Sequence, residues 1–147
     1  MRRTLFTLAQ LTWGLPQTLL GLLLFIYWFP RSETRYCYHG AMITEWTARG
    51  GISLGLFVFV PQKTHPGVTV HEFGHCVQSL LLGPLYLIAV GIPSYLWANL
   101  PALKKLRRDT GRSYYSIYPE NWANRLGEWA TKEKSIGQPA PTRKNSA

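Results

Sequence analysis

Acidic residues are few in this chain, cysteines fewer, and two long stretches carry no charge at all. Cys37 and Cys76 are the only cysteines among 147 residues. One lies in a strand-like segment and the other heads an apolar run, so both are expected as free thiols, and a disulfide-stapled extracellular scaffold is excluded. Neither Leu5 to Phe29 nor Val77 to Leu103 contains an Asp, Glu, Lys or Arg. Uncharged runs of that length point to a bilayer rather than to the half-polar helices of a soluble domain. For the first run, a cleaved signal peptide is set aside: it exceeds a signal core, no small-x-small site follows, and Trp28-Phe29-Pro30-Arg31 reads as an interfacial anchor. A transmembrane helix over 1–30 is the expectation, with Pro16 either kinking it or marking its start.

With only 7 acidic residues against 16 Lys and Arg, the net charge is +9. No nucleic-acid recognition motif accompanies this charge, so nucleic acid is not expected as a partner. The basic residues gather instead at Lys104-Lys105-Leu106-Arg107-Arg108, beside the second apolar stretch. Anionic headgroups and the positive-inside rule account for that placement, which makes the lipid bilayer the expected partner.

Between the apolar runs the pattern changes to short strands. Arg35 to Trp46 has aromatic and β-branched residues on both sides of His39-Gly40, which predicts a hairpin. Gly51 to Val60, closed by Pro61, predicts a third strand and hence a small antiparallel sheet. From about Val68 a helix is expected to Leu82, where Gly83-Pro84 interrupts it, and Leu85 to Leu100 forms a second apolar arm. Pro119 to Glu128 predicts a short helix, and 132–147 a disordered tail.

The chemistry is concentrated in His71-Glu72-Phe73-Gly74-His75. Residues four apart share one helix face, so both imidazoles can reach one ion, which for this ligand type is zinc, with Glu72 beside them as a general base for water. A helix start with solvent-facing polar residues is the plainer alternative, but two histidines and a glutamate at the head of an apolar run are unusual for it. A catalytic zinc needs a third protein ligand. Asp109, Glu120, Glu128 and Glu133 are the candidates, and Glu120 is preferred because it opens a helix with Asn124 one turn later, placed to hold the far nitrogen of a ligand histidine. Capping of that helix by a first-turn carboxylate is the competing role for Glu120.

His71 to His75 together with Glu120-Asn121-Trp122-Ala123-Asn124 resembles the gluzincin group of zinc metallopeptidases, and more distantly the membrane-bound CaaX prenyl proteases. The resemblance covers the site motifs and the short sheet before them. It implies an α+β, minimal zincin-like domain at 31–131 in which His71, His75 and Glu120 bind Zn2+ and Glu72 is the catalytic base. Asn124 stands where the group has aspartate, which keeps an acceptor and loses a charge. Site-2 proteases also carry His-Glu-x-x-His, but their aspartate ligand sits on a later membrane segment, and neither apolar run here contains one.

For Glu120 to reach the histidines, the segment 68–100 must turn back at Pro84 as a re-entrant or interfacial hairpin; each arm is about 22 Å long, short of a 30 Å core. The basic cluster then puts the zinc side in the cytoplasm. An edge strand beside the zinc helix can receive an extended peptide, for which Ser53, Leu54 and Gly55 are candidates. Tyr114, Tyr115 and Tyr118 are candidates for oxyanion stabilisation, interfacial anchoring being their other role, and His65 is a weak candidate for an adventitious ligand. The leading expectation is a membrane-bound zinc peptidase acting on a peptide or protein near the membrane. A zinc-stabilised adaptor or assembly protein and a site-2-type protease are the alternatives, and a homo-oligomer or membrane partner is the expected cover for the apolar surface.

Overall fold

The structure is a computed structural model that describes residues 3–32 and 34–137. These form an α+β fold of six α-helices and one four-stranded mixed sheet. The chain begins with α1 (Arg3–Thr12) and α2 (Leu15–Trp28). The single helix expected over 1–30 is therefore two, because Gly14 interrupts the first and Pro16, in the first turn of α2, is pre-set to begin a new one. No single helix among the described residues is long and apolar enough to cross a membrane; Arg3–Thr12 and Leu15–Arg31 pass that test only as a pair, bent by 97°.

The sheet follows, with β1 (Arg35–Tyr38), β2 (Ala41–Trp46), β3 (Ile52–Leu54) and β4 (Phe57–Pro61) in the order β1-β2-β4-β3. The β1–β2 hairpin turns at His39-Gly40 as expected, with φ of 49° and 101°, the pair of positive angles that matches strand twist. The expected third strand is instead two, folded back on each other at Gly55-Leu56. β4 pairs with β2 in parallel, so the sheet is mixed and not wholly antiparallel. The reason is physical: Leu54-Gly55-Leu56-Phe57 offers a glycine at φ 63°, which permits a two-residue turn inside the apolar run.

α3 (Pro66–Leu82) crosses the sheet, and its Phe73, Cys76 and Val77 join Phe6, Ile43, Val58 and Val60 in the core. His65 caps its start, Nδ1 accepting from the Gly67 amide at 3.0 Å. Beyond a tight turn at Gly83–Leu85, the second arm runs through one π-helical turn, Leu87–Gly91, into α4 (Ile92–Asn99). Pro93 has no amide hydrogen to offer the Ala89 carbonyl, and the Tyr118 hydroxyl donates to that carbonyl instead. The basic helix α5 (Pro101–Thr110) and then α6 (Tyr118–Thr131) complete the fold.

α6 packs antiparallel on α3 at very short range. A Cβ at Gly74 would lie 1.9 Å from the Ala123 carbonyl oxygen, and one at Gly127 2.2 Å from that of Val70. After α6 the chain folds back, and Ile136 donates to the Gly67 carbonyl. Residues 138–147 of the expected tail lie outside the described residues.

Candidate metal centre

Close packing of α3 on α6 brings His71, His75 and Glu120 together. Their ligand atoms all lie within 4.8 Å of one another. Glu120 Oε2 is 3.1 Å from His71 Nε2 and 3.7 Å from His75 Nε2. Tetrahedral ligands at zinc–nitrogen distances are separated by about 3.3 Å, so the two Glu120–histidine spacings suit one small ion. Three His, Asp or Glu side chains buried this deeply are rare unless paired or coordinating.

The outer hydrogen bonds orient the rings. Gln78 Nε2 donates to the Pro119 carbonyl at 2.8 Å, which turns Oε1 toward His75 Nδ1 at 2.7 Å. Asn124 Oδ1 stands 2.8 Å from His71 Nδ1. Both Nδ1 atoms therefore carry the hydrogen, and both Nε2 lone pairs face the Glu120 carboxylate. Among the described residues neither Glu120 oxygen has a hydrogen-bond partner. Acceptors gathered in this way need a positive charge between them, either a metal ion or a proton on a ring. Burial by itself would raise the Glu120 pKa, but the neighbouring His71 and His75 outweigh it and hold the carboxyl well below the usual range.

Glu72 sits at the wall of a cavity of about 1040 Å³, which is also lined by His71, His75, Tyr114 and Tyr115. The Ser53 hydroxyl lies 2.6 Å from Glu72 Oε2 and 2.8 Å from the Glu72 carbonyl. Its one proton is drawn to the charged oxygen. On the other side of the carboxylate, Gly51 leaves no room for a side chain: a Cβ there would come within 2.1 Å of Glu72 Oε1.

Ser53 and Leu54, expected to bind substrate, both line this cavity on the edge strand β3. The Ser53 carbonyl accepts from Tyr86 at 3.1 Å, and Ser53 holds Glu72 as well as facing the cavity. Gly55 stands apart in the β3–β4 turn, against Thr18. Tyr114 and Tyr115 reach the site, the Tyr115 ring lying edge-on to His71 with centroids 5.1 Å apart. Burial, reinforced by the charges of Glu120 and Glu72, raises both phenol pKa values, so both hydroxyls are donors at neutral pH. Tyr118 is exposed, does not line the cavity and is committed to Ala89.

Among the other candidates for a third ligand, Glu128 accepts from Ser135, Asp109 pairs with Lys105, and Glu133 lies 3.9 Å from His39. Both cysteines are free, Cys37 exposed and Cys76 buried. Sequence reasoning missed Gln78, Gly51 and Tyr86. Only Gln78 carried a signal, its position one turn beyond His75 on the same helix face.

The chain matches no protein-family model, no curated protein and no solved structure.

Proposed function

We propose that this chain is a membrane-associated zinc metallopeptidase with a minimal zincin-like domain, working at the cytoplasmic leaflet. The observation that carries this reading is the pairing of a buried three-group cluster, His71, His75 and Glu120, with a second carboxylate, Glu72, that stands beside it on the cavity wall. A structural zinc site is closed by four protein ligands, whereas a catalytic one keeps a position open. Among the described residues three groups converge, and the open side faces the cavity.

A bound zinc ion would supply Lewis acidity, lowering the pKa of a coordinated water toward about 7 and polarising the scissile carbonyl. The chain's own groups do the rest. Glu72, with Oε2 held by Ser53, accepts the proton at Oε1 and passes it to the leaving amide nitrogen. Tyr114 and Tyr115 line the same cavity and are the candidate donors to the negative charge that develops on the carbonyl oxygen. The edge strand β3 and the Gly50-Gly51 segment that leads into it line the cavity and can receive an extended peptide. Ile92 and Tyr95 belong both to the cavity wall and to the exposed apolar surface, which favours a membrane-proximal polypeptide as substrate.

A site-2-type reading fits less well, because the third group is a glutamate on α6 and not an aspartate on an apolar segment. The test is zinc content together with peptide cleavage, measured by mass spectrometry on a protein digest in the presence of phospholipid vesicles. Wild type holds one zinc and cuts; Glu72→Gln keeps the zinc and does not cut; Glu120→Ala loses the zinc. Wild type that holds zinc and cuts nothing returns the protein to the adaptor reading.

A further inference from the structure

We infer that this protein is monotopic: the α1–α2 corner and the Gly83–Leu85 turn enter one leaflet of an anionic bilayer side by side, and neither segment crosses it. This does not rest on the peptidase reading.

The path of the N-terminal helices decides the topology. α1 runs beside α3 in the same direction, with Phe6 on Phe73 at 5.5 Å and Gln10 donating to the Cys76 carbonyl at 3.0 Å. Trp13 lies against Gly83, where a Cβ would meet its indole at 2.2 Å. α2 then returns to the sheet. Gln17 donates to Ser79 at 2.7 Å and to the Gly83 carbonyl at 3.1 Å, Phe25 packs on Phe57 at 5.2 Å, and Trp28 on Trp46 at 5.7 Å. At the start of α1, a Cβ on Gly40 would lie 3.6 Å from the Arg3 carbonyl oxygen. Both ends of the segment thus pack on the sheet and only its corner reaches the helical turn. A bilayer has no place between Arg3 and the rest of the domain.

The two tips form one apolar surface. Leu11, Trp13 and Leu15 around the corner and Leu81, Leu85 and Ile88 around the turn are between 40% and 67% exposed. An apolar surface of this kind marks a contact with membrane or partner. Behind it, Gln10, Thr18, Ser79 and the Gln17 amide nitrogen are buried and bonded among themselves or to backbone carbonyls, while Gln17 Oε1 is buried without a partner among the described residues. Internal pairing of this kind suits hydrocarbon, which offers polar groups no water.

Charge identifies the occupant. The arm Leu87–Asn99 rises about 20 Å, one leaflet with its headgroups, and delivers α5 to that level. α5 presents Lys104, Lys105, Arg107 and Arg108, and its one carboxylate, Asp109, is bound to Lys105. A second copy would bring its own net charge of +9 to the same rim. Anionic lipid satisfies the apolar tips and the basic rim together.

The test uses the full chain with Cys37→Ser and the pair Thr4→Cys and Asp109→Cys, reconstituted in sealed vesicles of phosphatidylcholine and phosphatidylglycerol and treated with an impermeant maleimide. Intact mass is expected to show molecules with two labels or none. One label per molecule means that a helix crosses, and it overturns the inference. In flotation, Lys105→Glu with Arg108→Glu is expected to lower partition onto the anionic vesicles at least tenfold while leaving phosphatidylcholine partition unchanged. Equal partition of the unsubstituted chain onto both vesicle types overturns the anionic assignment. A dimer that floats with neither gives the face to a second copy and overturns the membrane seat.

Discussion

Gln78→Ala removes the side chain that links the far nitrogen of His75 to the backbone of α6. Gln78 is fully buried, and its amide bridges His75 Nδ1 at 2.7 Å and the Pro119 carbonyl at 2.8 Å, one residue before Glu120. Truncation leaves a buried N–H and a buried carbonyl unpaired, at about 1–3 kcal/mol each, so the metal-free protein should lose about 2 kcal/mol or more. Loss of the group that orients a ligand histidine typically lowers metal affinity about 10- to 100-fold. Gln78→Glu separates the two effects. It still offers an oxygen to His75 but sets another against the Pro119 carbonyl, so stability falls while zinc affinity stays closer to wild type. Zinc competition with a chromophoric chelator and urea unfolding of the chelator-treated protein measure the two quantities. If Gln78→Ala binds zinc within about threefold of wild type, well under that expected loss, the ring is oriented by something else and the reasoning fails.

Gly51→Ala should displace the Glu72 carboxylate without touching the ligands, giving normal zinc content and a loss of peptide cleavage; retained cleavage would show that the carboxylate has another productive position. Gly74→Ala drives a methyl into the Ala123 carbonyl, and the overpacking, about 1–3 kcal/mol, outweighs the helix propensity gained, about 1 kcal/mol, so both unfolding midpoint and zinc affinity should fall. An unchanged affinity would mean that α6 can move without carrying Glu120 away. Removing zinc from protein held at a thousandfold excess over its dissociation constant should cost about 4 kcal/mol, or about 10 °C in Tm, read by differential scanning fluorimetry with and without a chelator. A Tm that ignores the chelator would leave the three-group cluster without a metal.

Much of the fold was open to pattern reading where one local rule decides the outcome. His39-Gly40 between two aromatic strands makes a hairpin, and Gly83-Pro84 ends α3, because turn chemistry and a missing amide act within a few residues. The parallel pairing of β2 with β4 was not readable in this way. It depends on Leu54-Gly55-Leu56-Phe57 turning inside an apolar run, and glycine in such a run marks a bend only when some other element fills the space it leaves, here Thr18 of α2. The corner at Gly14 is similar. A run of uncharged residues says that a segment is apolar, not that it is straight, and Pro16 fits a kink as well as a start.

The site divides along the same line. His71, Glu72 and His75 share one helix, so their juxtaposition follows from helix geometry alone. Glu120 and Asn124 also share a face, yet α6 by itself explains them as a first-turn carboxylate and an ordinary polar residue. What joins the two helices is carried by residues with no chemistry of their own. Gly74 lies inside the histidine motif and Gly127 one turn past Asn124, and each clears the backbone of the opposite helix. At ordinary interaxial distances of 8–10 Å, a glutamate on a neighbouring helix would need a longer reach to meet both imidazoles. The two glycines shorten that distance, and their placement, Gly74 beside His75 and Gly127 against Val70 next to His71, gives a reason for Glu120, rather than another carboxylate among the described residues, to meet the histidines.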